Sequence, residues 1–89
     1  MKTTILYRPN SEHARSVDNF ARDFKRAYSE FALDLVDVDS REGTQLIQLY
    51  DITDYPAIIV QRENDGSVSM IWQGAQLPML DEVGGYLLQ

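Results

Sequence analysis

The sequence predicts an α/β protein whose strands and helices follow the order β-α-β-α-β-β-α. A helical stripe of apolar side chains lies between two short apolar segments, the pattern of a strand–helix–strand unit. The apolar run at residues 56–60 is typical of a buried strand, and Pro56 suits its first position because proline has no N–H to donate. The turn signal Asn64-Asp65-Gly66 then predicts a hairpin into a fourth strand.

Length and composition indicate one small globular domain, predicted over residues 1–89. The net charge of −6 argues against nucleic-acid partners and against anionic membrane surfaces. The first apolar run is too short for a signal peptide, and no run approaches the length of a transmembrane helix. We therefore expect a cytoplasmic protein that contacts neither nucleic acid nor membrane.

The first strand is predicted over residues 3–7, which are β-branched, aliphatic and aromatic. Ser11 is suited to be the N-cap of the helix that follows, since a serine oxygen can accept a hydrogen bond from a first-turn N–H. Apolar residues spaced i, i+3, i+4, i+7, i+10 and i+11 predict that helix. They are Val17, Phe20, Ala21, Phe24, Ala27 and Tyr28.

The second strand is predicted over residues 31–39, where alternate and adjacent aliphatic side chains occur. Two strands joined by a long helix fit a right-handed crossover, which makes the strands parallel. Residues 40–43 are predicted to be a loop, and residues 44–50 a shorter helix with apolar side chains on more than one side.

The last two elements are predicted to be a strand at residues 68–72 and a helix at residues 76–89. Pro78 fits the first turn of that helix, where the missing N–H has no intrahelical partner. Gly84 and Gly85 each disfavour a helix by about 1 kcal/mol relative to alanine. The final helix is therefore expected to be short, or to fray after Gly84.

The chain resembles the thioredoxin family, most clearly in its second half. The resemblance rests on Asp37-Val38-Asp39, Tyr50-Asp51-Ile52, Tyr55-Pro56-Ala57, Asp65-Gly66 and Trp72-Gln73-Gly74. Over its whole length the chain is similar to the minimal, glutaredoxin-sized version of that fold. This resemblance implies a four-stranded mixed sheet in the order 2-1-3-4 with helices on both faces. It also implies a cis Tyr55–Pro56 bond and a position for Pro56 in the lining of a substrate groove.

Redox-active members of the family carry a Cys-x-x-Cys motif where the first strand turns into the first helix. Aligning that turn places Ser11-Glu12-His13-Ala14 at the motif, with Ser11 at the nucleophilic position and Ala14 at the resolving one. His13 matches the histidine of the Cys-x-His-Cys variant. The chain contains no cysteine, and dithiol exchange requires a thiolate and a resolving thiol. We therefore predict a redox-inactive protein that is not an enzyme and has no catalytic residue.

Three roles remain compatible with the sequence. The resemblance implies first a groove, lined by Ser11, His13, Tyr55 and Pro56, that binds a peptide or protein partner non-covalently. Trp72 belongs either to this groove or to the core. A second role is glutathione binding, with Ser11 stabilising the thiolate as in serine-type glutathione transferases, although those enzymes carry a helical second domain for which 89 residues leave no room. A third is a structural or assembly role. We favour the first because the fold can keep its groove without its thiol chemistry.

Several candidate residues also have explanations that need no ligand. Ser11 can serve as an N-cap alone, and His13 can be an exposed residue of the first turn. One histidine and scattered carboxylates do not provide the spacing of a metal site, and no glycine-rich phosphate loop is present. We expect no metal and no cofactor.

Overall fold

The computed structural model describes residues 1–88. Its strands are Lys2–Tyr7 (β1), Ala32–Asp37 (β2), Ala57–Gln61 (β3) and Val68–Gln73 (β4), and its helices are Ala14–Ala27 (α1), Arg41–Tyr50 (α2) and Leu80–Leu87 (α3). The strands form one sheet in the order β2-β1-β3-β4. β1 is parallel to β2 and antiparallel to β3, and β3 is antiparallel to β4. The predicted order of elements and the predicted mixed sheet are confirmed.

Both faces of the sheet are covered, because neighbouring residues of a strand point to opposite sides. Ile5 of β1 packs with α1 and α3 in one buried cluster, which is made of Ile5, Val17, Phe20, Phe24, Ile58, Val60, Val83 and Leu87. Leu6 packs towards α2 in the other cluster, which is made of Leu6, Val36, Val38, Ile52, Ala57 and Ile59. The central strands β1 and β3 are therefore buried on both faces, as their near-continuous apolar runs predict.

Helix α1 begins at Ala14, and the prediction that Ser11 is its N-cap is wrong. His13 occupies the N-cap position, and its side chain makes no capping hydrogen bond. The hydroxyl of Ser11 instead donates to the C=O of Arg8. The N–H of Ala14 donates to the C=O of Ser11 at 3.2 Å, so residues 11–13 form a turn that precedes the helix.

Helix α2 begins at Arg41, so three of the four residues predicted to be a loop form its first turn. The reason is the N-cap Ser40, whose hydroxyl oxygen accepts a hydrogen bond from the N–H of Gly43 at 3.0 Å. A Cβ at Gly43 would overlap the C=O oxygen of Asp37. Only glycine therefore lets this turn lie so close to the end of β2, which stops at Asp37, two residues before the predicted end.

Helix α3 begins later than predicted, at Leu80, and Pro78 lies ahead of it. The carboxylate of Glu82 accepts a hydrogen bond from the N–H of the N-cap Met79 at 3.0 Å, which fixes the start of the helix. The predicted end of this helix, Gln89, lies outside the described residues. No helix among residues 1–88 combines the length and the apolar character needed to cross a membrane.

The prediction that the last helix is short, or frays after Gly84, is confirmed in its first form, because α3 spans only Leu80–Leu87 and continues past Gly84. Val83 and Leu87 are buried in the cluster shared with α1. A Cβ at Gly84 would overlap the hydroxyl of Tyr28 at the end of α1. Close packing of the two helices thus uses the glycine and outweighs its poor helix propensity.

Candidate functional site

The candidate residues lie at one end of the sheet. Tyr7 at the end of β1 is paired with Asp37 at the end of β2, and Leu6 is paired with Ala57 at the start of β3. The turn after β1, the turn after β2 and the loop before β3 therefore share this end. Residues separated by about 45 positions in the sequence are brought together by the strand register alone.

Arg8 connects most of the candidate residues to one another. Its N–H donates to Nε2 of His13 at 3.0 Å, and its C=O accepts a hydrogen bond from the hydroxyl of Ser11. Its guanidinium pairs with Asp39, Nε to Oδ2 at 3.4 Å, and its Cζ lies 6.0 Å from the ring centroid of Tyr55. We call these five residues the Arg8 cluster.

Arg8 was not among the predicted site residues. A signal was present, because Arg8 follows β1 directly and Asp39 follows β2 closely. The carboxyl ends of parallel neighbours meet at one sheet edge, so an oppositely charged pair at these positions is expected to make contact.

The hydrogen bonds of Ser11 and His13 define what these side chains can do. Ser11 uses its proton on the C=O of Arg8, so that proton is not directed at an outside ligand. His13 accepts a hydrogen bond at Nε2, which requires the neutral imidazole with its proton on Nδ1. Within residues 1–88 the two side chains are not hydrogen-bonded to each other, so they do not form an activated serine–histidine pair.

Pro56 is a buried residue that anchors the candidate site to the sheet. The Tyr55–Pro56 peptide bond is cis. The Pro56 side chain is fully buried, and its C=O accepts a hydrogen bond from the N–H of Gly74 at 3.0 Å. Pro56 therefore fixes the position of the loop before β3 and offers little surface of its own to a ligand.

We call residues 51–55 the Tyr55 loop. Of its N–H groups from Ile52 onward, only that of Tyr55 is unpaired among the described residues. The N–H of Ile52 donates to α2. The N–H groups of Thr53 and Asp54 both donate to Oε1 of Gln73, at 2.9 Å and 3.2 Å. Among the described residues, the N–H and the C=O of Tyr55 have no hydrogen-bond partner. Tyr55 is half-buried, so these groups stand beside a side chain that is already partly fixed.

Trp72 belongs with the core. Its ring lies 5.5 Å from the ring of Tyr86, edge to face, and it packs against the cluster shared by α1 and α3. Of the two positions left open by the sequence, the structure places it in the packed face of the sheet.

Of three surface depressions, one lies beside the predicted site residues and two lie away from them. A depression of about 270 Å³ is lined by Glu12, His13, Ser16 and Ala75, and of the predicted site residues it includes His13 alone. Larger depressions of about 450 and 470 Å³ lie at the opposite end of the sheet, where Arg62 and Glu63 line both. Residues 1–88 hold no group of three His, Asp or Glu side chains placed to bind a metal ion.

No family model matches this sequence, and no curated protein does. Solved structures match its fold. Deadhead, a germline-specific thioredoxin of Drosophila melanogaster, has a TM-score of 0.70 at 19% identity, over 98% of this chain and 79% of that one. Thioredoxin O2 of Arabidopsis thaliana has a TM-score of 0.72 at 11% identity, over 99% of this chain and 72% of that one. Mitochondrial thioredoxin 3 of Saccharomyces cerevisiae has a TM-score of 0.72 at 15% identity, over 97% of this chain and 74% of that one.

These similarities define the class of the fold. The chain has a thioredoxin-like fold, with the four-stranded sheet and three helices described above. It contains no cysteine, so it is a thioredoxin-like fold without the Cys-x-x-Cys motif and without the thiol chemistry of that motif.

Proposed function

We propose that this protein is a redox-inactive thioredoxin-like domain that binds an extended peptide segment of a partner protein non-covalently, through the backbone of Tyr55. The observation that supports this most directly is that the N–H and C=O of Tyr55 are unpaired among the described residues, whereas the N–H groups of Ile52, Thr53 and Asp54 before it are paired. An extended peptide pairs with such groups as an added strand pairs with a sheet edge. This pairing needs no cysteine.

The side chain of Tyr55 supports the same proposal. Its ring packs against the cluster under α2 and lies beside the Arg8 guanidinium, so it loses little further freedom when a ligand binds. Tyrosine is also enriched at binding hot spots, where an apolar ring and a polar tip act together. A patch of this size supports an affinity in the micromolar range, about −8 kcal/mol.

The glutathione hypothesis has less support. A serine that stabilises a thiolate must donate its proton to sulfur, and the Ser11 hydroxyl already donates to the C=O of Arg8. The structural or assembly hypothesis remains an outcome of the test below. The proposal further includes a single domain over residues 1–89 and a cytoplasmic location. It requires no enzyme activity, no cofactor or metal, and no nucleic-acid or membrane partner.

The test begins with peptides selected from a random display library on the wild-type protein. We expect the selected peptide to shift the NMR signal of the Tyr55 N–H. A peptide N-methylated at the residue that pairs with Tyr55 should lose binding, because the ligand then lacks one backbone donor. Tyr55→Ala should weaken the affinity about tenfold or more, a loss of at least about 1.4 kcal/mol, as for other hot-spot residues.

Arg62→Ala and Glu63→Ala serve as controls at the opposite end of the sheet and should leave the affinity unchanged. The proposal is wrong if the peptide binds the Tyr55→Ala variant normally and shifts only signals in the acidic stretch at residues 37–42. Failure of the wild-type protein to select any peptide would favour the structural or assembly role.

A further inference from the structure

Gln73, the last residue of β4, connects that strand to the Tyr55 loop through its side-chain oxygen. We propose that Gln73 is the positioning residue of the peptide site: its amide oxygen fixes the Tyr55 loop so that the backbone of Tyr55 is presented to the ligand. The inference rests on the proposed function, and it assigns a role to a residue outside the loop that contacts the ligand.

The geometry of the amide oxygen is the first line of evidence. Oε1 of Gln73 accepts hydrogen bonds from the N–H of Thr53 at 2.9 Å and of Asp54 at 3.2 Å, and the hydroxyl of Thr53 lies 3.3 Å from it. An amide oxygen has two lone pairs, so the two backbone bonds satisfy it. One exposed side chain thus fixes two successive N–H groups that would otherwise bind water.

The second line of evidence is the residue that follows. The N–H of Gly74 donates to the C=O of Pro56 at 3.0 Å, on the other side of Tyr55. Gly74 has a φ of +112°, a conformation that favours glycine, and this lets the chain leave β4 at that point. The end of β4 therefore holds the residues before and after Tyr55, and it leaves the Tyr55 peptide group between them unpaired.

The consequence for binding is preorganisation. A loop whose neighbouring N–H groups are already fixed loses less conformational entropy when a peptide pairs with it. Without the Gln73 oxygen, the N–H groups of Thr53 and Asp54 can turn towards water, and the backbone that leads into Tyr55 is held less firmly, although the Tyr55 ring stays packed. Gln73 thus affects the affinity through Tyr55 and without touching the ligand.

Amide hydrogen exchange tests the contact without any ligand. Gln73→Met keeps the length of the side chain but removes the acceptor, and Gln73→Glu keeps an acceptor oxygen. We expect the Thr53 and Asp54 amides to exchange about five- to tenfold faster in Gln73→Met, the factor for one lost hydrogen bond each. Gln73→Glu should restore protection. The control is Gln61→Met, since within residues 1–88 the side chain of Gln61 makes one hydrogen bond, to the C=O of Gly66, at the far end of β3.

Binding is then measured by calorimetry with the library-selected peptide. We expect Gln73→Met to weaken the affinity about five- to tenfold, through a less favourable binding entropy, and Gln73→Glu to recover it. Gln61→Met should bind as the wild type does. A merely structural role would change the melting temperature but would give neither the entropy difference nor the recovery.

The outcomes separate this inference from the proposed function. If the wild-type protein binds the peptide at Tyr55 but Gln73→Met binds it equally well, the positioning role is wrong and the proposed function stands. Unchanged exchange at Thr53 and Asp54 would also overturn the positioning role. If the wild-type protein binds no peptide, the proposed function fails, and the role of Gln73 in binding fails with it.

Discussion

Arg8 makes contacts with both its backbone and its side chain, and the two kinds of contact have different effects on the protein. Its ion pair with Asp39 is exposed, and such pairs contribute about 0–1 kcal/mol to stability. Its backbone bonds to Ser11 and His13 instead fix the shape of the turn before α1. Arg8 is therefore better understood as ordering the site than as stabilising the fold.

Asp65 offers a test of pH dependence at the residue scale. Its carboxylate accepts hydrogen bonds from the N–H of Ser67 at 2.9 Å and from the Ser67 hydroxyl at 2.8 Å. The backbone bond first, and then the hydroxyl bond, lower the pKa of Asp65 below its ordinary value of 3.8. Because the folded pKa is the lower one, the carboxylate stabilises the fold above pH 3.8, and this contribution is lost as the pH falls through the folded pKa.

We expect Asp65→Ala to be less stable than the wild type at pH 7. The difference in the free energy of unfolding should shrink as the pH falls below 3.8 and through the folded pKa of Asp65. Urea unfolding at several pH values measures the difference, and a carbon-13 titration of the wild-type carboxyl group gives the pKa directly. Asp23→Ala, at an exposed position of α1, is the control. A stability difference that is equal at pH 7 and at acid pH would contradict the expectation.

At the scale of the element, α3 contains a matched pair of glycines. A Cβ at Gly85 would meet nothing within 4 Å, whereas one at Gly84 would overlap the hydroxyl of Tyr28. We expect Gly85→Ala to stabilise the protein by about 0.5–1 kcal/mol through helix propensity. Gly84→Ala should destabilise it by about 1–3 kcal/mol, the range for overpacking. Chemical denaturation measures both variants.

Tyr28→Phe removes the atom that a new Cβ at Gly84 would overlap first. Combined with Gly84→Ala, it should therefore recover part of the lost stability. If Gly84→Ala and Gly85→Ala stabilise the protein equally, α1 and α3 are not in close contact at Gly84.

The element boundaries show where sequence reasoning stops. Ser11 and Ser40 both follow a strand end and precede a helix, and both suit an N-cap. Only Ser40 has this role, although the hydroxyls of both serines donate to a C=O three residues earlier. What differs is the backbone before Ser11, where Asn10 adopts a φ of +65° that redirects the chain. Local preference alone could not distinguish the two serines, since both have the same side chain and make the same hydrogen bond to a C=O three residues earlier.

For the molecule as a whole, the order of elements and of strands was predictable because it depends on periodicity and on proline and glycine positions. The sequence also suggested Ser11, His13 and Tyr55, which Arg8 connects in the structure. It did not suggest Arg8 or Gln73. Arg8 contacts Asp39 across 31 residues, and Gln73 contacts Thr53 across 20, so both contacts exist only after the strand register is set.

The sheet order also determines which strands have an unpaired side, and β2 is one of the two outer strands. Asp34 lies exposed in β2 and pairs with Lys2 at 3.0 Å. We expect Asp34→Val to aggregate faster than the wild type at neutral pH, because a charge is replaced by a residue that favours strands. Light scattering measures this, with Asp23→Val on α1 as the control. Equal aggregation of the two variants would contradict the expectation.

Asp34 would thus protect the protein from its own copies. An outer strand offers backbone donors and acceptors to any other chain in extended form, and two copies of β2 could continue each other's sheet. Carboxylates at Asp34 and Asp37 oppose this, since each copy would bring like charges against the other. A chain that evolves or is engineered at this strand can therefore lose solubility while its fold stays unchanged.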